Sequence, residues 1–197
     1  MPDERLTPDQ ALARLGRGNA RFVAGWPNHP DQSARRRREI AGQKQQPFAA
    51  VLACADSRVP PEIIFDEGLG NLFVVRVAGN LLDDIVLGSL EYAVEHLHVP
   101  LIVVLGHDLC GAVTAAANSG DTHSHIDAIV KALQPAIQLA QTAGGDIISQ
   151  AIDANIQLVV NQLSVSEPIQ REHLNTGQLK VAGARYHLES GTVTLLD

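Results

Sequence analysis

Only two cysteines occur in the 197 residues, Cys54 and Cys110. They allow one disulfide at most, and only in an oxidising compartment. No apolar run approaches the roughly 18 residues of a membrane span, so no membrane partner is expected. The opening segment MPDERLTPDQ has no basic stretch and no apolar stretch. No secretory signal is read there, and the expected location is cytoplasmic. Two cysteines without an export signal favour a metal or catalytic role over a bridge. Positive charge is not in excess, since the formal net charge is -7. That argues against nucleic acid as a partner. The one dense basic run, Arg35 to Arg38, falls in a helix-like segment. It reads as a solvated or intersubunit face rather than a phosphate site. Internal repeats, low-complexity tracts and linkers are absent too. At 45% hydrophobic and 19% charged, the chain suits one domain with a core of its own.

The order of elements predicts the fold class. Thr7-Pro8-Asp9-Gln10 starts a helix, with Thr7 as cap and Gln10 completing a capping box. Leu12, Leu15, Asn19, Phe22 and Val23 follow at helical spacing until Gly25. A second helix is predicted from about Gln32 to Ile40, closing an N-terminal helical arm over about 7–42. Three apolar runs without alternation follow: FAAVLA at 48–53, LFVVRV at 72–77 and LIVVL at 101–105. Such runs are the signature of strands buried on both faces of a parallel sheet. Between the last two, Ile85, Leu87, Leu90, Ala93, Val94 and Leu97 lie on a helical period. Strand, helix, strand is a crossover unit and makes the sheet parallel at its centre. Amphipathic helices are predicted at 126–140 and 147–163, and a hairpin at the sheet edge from 179–188 and 192–196. The expected class is α/β: one domain over 1–197, a mostly parallel sheet, and helices on both faces.

Two motifs carry chemistry. Cys54-Ala55-Asp56-Ser57-Arg58 directly follows the first apolar run, and Gly106-His107-Asp108-Leu109-Cys110-Gly111 follows the third. Both therefore sit at carboxyl ends of strands, where open α/β sheets build their sites. Two thiolates and an imidazole suit zinc better than magnesium or calcium. With three such ligands, a fourth position is left for water in a catalytic site, or for Asp56 or another His in a closed one. The bland alternatives are inert buried cysteines and a purely structural zinc. His29, His96, His98, His173 and His187 stand in ordinary polar or helical contexts and are not read as ligands. His123 and His125, two apart before a helix, read as solvated imidazoles rather than a second metal site.

The stretch CADSRVPPEIIFDEGLGNLFVVRVAGN, then GSLEYAV, then VVLGHDLCGAV, resembles the β-class carbonic anhydrases. The resemblance extends to ARLGRGNARFVAG near the start, HIDAIVKALQPAI, and the ending VAGARYHLESGTVTLL. Ala55 departs from the Ser frequent in the family and is not a ligand position. The resemblance implies one zinc ion per chain on Cys54, His107 and Cys110, with reversible hydration of CO2 to bicarbonate. It implies that Asp56 and Arg58 form the catalytic pair, and that Asp56 is available as a fourth ligand in a closed state. Gly111 matches a backbone donor to bicarbonate. Gln45, Phe73, Ala78 and Tyr92 match pocket positions, with Ala78 smaller than the usual Val. The family builds that pocket across a dimer interface, which allows Gln45 and Tyr92 to serve different chains. A homodimer or homotetramer is implied, on a four-stranded parallel sheet with an added edge strand. Hydrolysis of carbonyl sulfide or carbon disulfide, and a non-catalytic zinc protein, are the rival functions.

Overall fold

The computed structural model describes residues 5–118, 124–169 and 176–196. His123 and His173 lie outside the described residues. Two helices lead: α1 (Pro8–Val23) and α2 (Ala34–Ile40). The predicted capping box is present, since Gln10 N donates to Thr7 Oγ1 at 3.2 Å and Thr7 N donates to Gln10 Oε1 at 2.8 Å. Then come β1 (Ala49–Cys54), α3 (Pro61–Ile64), β2 (Leu72–Val77), a 3₁₀ turn over Ala78–Asn80, and α4 (Asp84–Glu95). The chain continues through β3 (Leu101–His107), α5 (Gly111–Asn118), α6 (Ile126–Ala143), α7 (Ile147–Val165) and the short α8 (Glu167–Ile169). It closes with β4 (Lys180–Tyr186) and β5 (Val193–Leu196).

The sheet order is β2-β1-β3-β4-β5. The first four strands are parallel, and β5 returns antiparallel to β4 as the predicted hairpin. The chain winds from β1 outward to β2, then crosses back to the other side of β1 to make β3. The point of reversal therefore lies between the carboxyl ends of β1 and β3, where this topology opens a crevice.

Every residue of β1 and β3 is buried, as their unbroken apolar runs predict. Alternate side chains feed two cores. Ala50, Leu52, Cys54, Ile102 and Val104 meet α4 to α7, while Ala49, Val51, Ala53, Leu101 and Val103 meet α1 and the α3 region. Each fully buried Leu or Ile contributes about 1.5–3 kcal/mol relative to exposure. Two glycines let α7 come close to the sheet. A Cβ at Gly106 would fall 2.5 Å from Ile156 Cδ1, and one at Gly183 would fall 2.8 Å from Ile156 Cγ2. Ile156 thus sits in a notch beneath the end of β3.

Three local expectations differ from the structure. β2 is half-buried rather than buried on both faces, because it is an edge strand, and Arg76 is exposed. On α4 the buried residues are Val86, Leu90, Ala93 and Val94, while Ile85 is 81% exposed. On α1 they are Ala11, Leu15, Gly18 and Asn19, with Val23 exposed. Gly18 sets that rotation, since a Cβ there would meet Phe65 O at 1.8 Å.

Candidate active site

Cys54 ends β1 and His107 ends the neighbouring β3; Cys110 follows one turn later, just ahead of α5. The ligand atoms of the three residues all lie within 4.8 Å of one another, and all three side chains are buried. Among the described residues this is the group suited to a metal ion. Both cysteines are free.

The ring of His107 is fully buried. Its Nδ1 lies 2.8 Å from Asp108 O. A carbonyl only accepts, so Nδ1 carries the proton and Nε2 presents its lone pair. Nε2 is buried and has no hydrogen-bond partner. A bare imidazole nitrogen beside two sulfurs is costly to bury unless it binds something. The donor set of two sulfurs and one nitrogen fits a tetrahedral, thiophilic cation.

The Cys110 thiol lies against Cys54, which also receives the N–H of Gly79 at 3.3 Å, and these contacts outweigh burial and draw Cys54 below the usual thiol range. The contact with Cys54 and burial push the Cys110 thiol up, partly opposed by the N–H groups of Val113 and Ala112 at the start of α5. The pair thus favours a single thiolate, and a bound cation would favour the second.

Asp56 stands beside this group, with Oδ2 4.0 Å from His107 Nε2. Arg58 clasps it: backbone N and Nε donate to Oδ1, both at 2.9 Å, and Nη2 donates to Oδ2 at 2.8 Å. These bonds, led by the Arg58 side chain, hold the carboxyl well below the usual carboxylate range despite partial burial. Arg58 Nη2 also reaches Leu109 O at 3.4 Å, tying the two motifs together. From β2, Arg76 donates to Cys54 O at 3.1 Å and Asp56 O at 2.6 Å, which fixes the backbone of the first motif.

Comparison with known proteins agrees with this geometry. Residues 49–193 match the family model described as carbonic anhydrase. The carbonic anhydrase of Mycolicibacterium smegmatis is 45% identical over 192 residues, spanning 95% of this chain and 93% of that one. Carbonic anhydrase 2 of Mycobacterium tuberculosis is 43% identical over 194 residues, spanning 96% and 93%. The chain belongs to the β-carbonic anhydrase family. It is accordingly a carbonic anhydrase, whose reaction is the hydration of CO2. Among solved structures, a tetrameric β-carbonic anhydrase from Sordaria macrospora superposes with TM-score 0.75 at 26% identity, covering 95% of this chain and 97% of that one. The Coccomyxa β-carbonic anhydrase, solved with acetazolamide, gives 0.73 at 27% identity, covering 94% and 84%.

The remaining residues singled out in the sequence fall into two places. Gly111 opens α5 next to Cys110, so its N–H lies at the positive end of that helix. Ala78 begins the 3₁₀ turn and adjoins Gly79, the donor to Cys54. Gln45, Phe73 and Tyr92 lie elsewhere in the chain. Phe73 is in register with Ala50, four residues before Cys54, or about 13 Å along the strand. Its ring faces Tyr92 with centroids 6.4 Å apart. Tyr92 and Gln45 line a common hollow with His96 and His98. A single chain therefore does not bring these three to its own metal group.

In the exposed helix α2, Arg35 pairs with Glu39 at 3.3 Å, and Arg36 lies near Asp31 and Leu69 O. His125 directly precedes α6, makes no side-chain hydrogen bond to the helix start, and is exposed. Among the described residues, no helix is long and apolar enough to cross a membrane.

Sequence reasoning missed the supports behind the ligands. Asp108 Oδ1 accepts from Arg185 at 2.7 Å, and Oδ2 accepts from His187 Nδ1 at 3.1 Å. Burial pushes the Asp108 carboxyl up, but Arg185 and His187 outweigh it and bring it below its ordinary value. Asn155, buried on α7, donates to Gly79 O at 2.9 Å. A lone arginine within the apolar run of β4 and a lone asparagine on the apolar face of α7 were the available signals.

Proposed function

We propose that the chain holds one zinc ion through Cys54, His107 and Cys110 and uses it for the reversible hydration of CO2 to bicarbonate and a proton. The observation that carries this reading is His107 Nε2, buried and bare beside two sulfurs, with a clasped carboxylate 4.0 Å away. Zinc, when bound, supplies a Lewis acid that lowers the pKa of a water molecule from 15.7 toward about 7.

The chain's own residues complete the chemistry. CO2 gains one oxygen from water, and one of the two protons of that water departs to solvent. Asp56, held ionised by Arg58, would accept a hydrogen bond from the O–H that remains and so turn the oxygen lone pair toward the carbon. The planar fork of Arg58 keeps both carboxylate oxygens occupied, and so keeps Asp56 from becoming a ligand itself. Gly111 N–H offers a donor to an oxygen of bicarbonate. Ala78, smaller than the family's usual residue there, widens the approach.

The functional unit in this reading is a homodimer or homotetramer. Support comes from the half-buried edge strand β2 and from the exposed apolar Ile85 and Tyr92 on neighbouring α4, 81% and 46% exposed. A second chain seated there would bring Phe73, Tyr92 and Gln45 toward the metal group of its partner. The unpaired cysteines must stay reduced to serve as ligands, which suits a cytoplasmic location.

Stopped-flow hydration of CO2, with carbonyl sulfide as the competing substrate and metal content measured on the same sample, tests the reading. Fast CO2 turnover at one zinc per chain is the expected result. Zinc without CO2 hydration at any pH, or turnover of carbonyl sulfide alone, would overturn it.

A further inference from the structure

Helix α7 is remote in sequence from both motifs, yet hydrogen-bond chains run from it to two of the three metal ligands. The first passes through Arg185. Its Nη1 donates to both oxygens of Asp153 at 3.1 Å and to Ser149 Oγ at 3.0 Å, both residues of α7. Its Nε donates to Asp108 Oδ1 at 2.7 Å. Asp108 is engaged at every polar group. Its N–H donates to Tyr186 O at 3.0 Å, and its Oδ2 accepts from His187. Its carbonyl accepts Nδ1–H of His107 at 2.8 Å. An imidazole rotates within a broad, roughly two-fold torsional well, so that single bond decides where Nε2 points.

The second chain passes through Asn155. Its amide donates to Gly79 O at 2.9 Å, and Gly79 N–H donates to Cys54 Sγ at 3.3 Å. Gly79 has φ +74°, which glycine adopts freely and which turns its N–H toward Cys54 and its carbonyl toward α7. Asn155 is 3% exposed and holds that carbonyl from the core.

We propose that α7 is the outer frame of the metal site, with Arg185 positioning His107 through Asp108 and Asn155 positioning Cys54 through Gly79. Neither residue is a ligand, and neither reaches substrate. They set donor-atom direction, and so govern how tightly and in what geometry a cation is held. The inference rests on the zinc reading above.

The test is zinc affinity of the folded apoprotein, by chelator competition, together with the visible spectrum of the cobalt(II) form. The variants are Arg185→Met, Arg185→Lys and Asn155→Ala. Arg14→Met serves as the control, because it breaks an ion pair with Glu67 on the opposite face of the sheet. Affinity should fall by about 10- to 100-fold in Arg185→Met and Asn155→Ala. It should fall less in Arg185→Lys, which keeps the charge but loses the fork. The cobalt bands should shift in all three, while the control leaves both readouts unchanged. Affinities within two-fold of the parent and unshifted bands would overturn the proposal. If Arg185→Met does not fold, Arg185→Lys and Asn155→Ala decide it. A parent that takes up no zinc overturns this inference together with the functional reading. A zinc-loaded, active parent with indifferent variants overturns this inference alone.

Discussion

Asp56 and His107 meet with Oδ2 of one 4.0 Å from Nε2 of the other, while Arg58 occupies both oxygens of the carboxylate. The distance is too long for a bond and short enough that a small swing would make Asp56 a ligand. Arg58→Ala should release that swing. We expect CO2 hydration to fall by about 10- to 100-fold at neutral pH, as for loss of other groups that orient metal sites. Arg58→Lys should recover little, since an ammonium cannot span both oxygens. An unchanged rate in Arg58→Ala would remove the clasp from the account.

Loss of a ligand should be more severe. Cys54→Ser and His107→Ala are each expected to lose bound zinc, measured by elemental analysis, and turnover together. A variant without zinc that keeps full turnover would end the metal mechanism.

Acid stability should follow Asp66. Burial pushes this carboxyl up, but hydrogen bonds from Asn28 N–H, Arg21 and His29 N–H outweigh it and hold it below its ordinary value. The folded state therefore favours the charged form, and the unfolded chain takes up the proton first as pH falls. The stabilisation is complete above the unfolded value of about 3.9 and is lost as pH drops through the lower folded value. Tm should be nearly level from pH 8 to 5 and decline below pH 4. Asp66→Asn should cost about 1–3 kcal/mol at pH 7 and make the acid decline shallower. A decline as steep as the parent's would assign acid unfolding to other groups.

Two glycine substitutions should have opposite signs. Gly106→Ala forces a Cβ into Ile156 beside His107 and should cost about 1–3 kcal/mol. Gly16 lies within α1 with nothing within 4 Å of its would-be Cβ, so Gly16→Ala should stabilise by about 0.5–1 kcal/mol. Calorimetric melts of both decide. Equal losses would mean that α7 does not rest in the notch at Gly106.

Much of this architecture is legible in the sequence because burial leaves a pattern. β1 and β3 read as apolar runs since neighbours cover them on both faces. β2 reads the same way and is nonetheless a half-buried edge strand, because an apolar run by itself does not tell a central strand from an edge one. Cys54, His107 and Cys110 are legible because few residue types bind metals, and their motifs follow buried strands. Asp56 as an alternative ligand is legible by its nearness to Cys54, while its pairing with Arg58 comes from the resemblance. Arg185, Asn155 and Gly79 are not, since each acts over a long sequence separation through one hydrogen bond. Gln45, Phe73 and Tyr92 come from resemblance alone, and the single chain keeps them away from its own metal group.

X-ray absorption at the zinc edge tests the central claim most directly, because it counts the donors around the ion. The account predicts two sulfurs at about 2.3 Å with nitrogen or oxygen donors at about 2.0–2.1 Å completing four-coordination. A shell without sulfur, or one of four sulfurs, would contradict it.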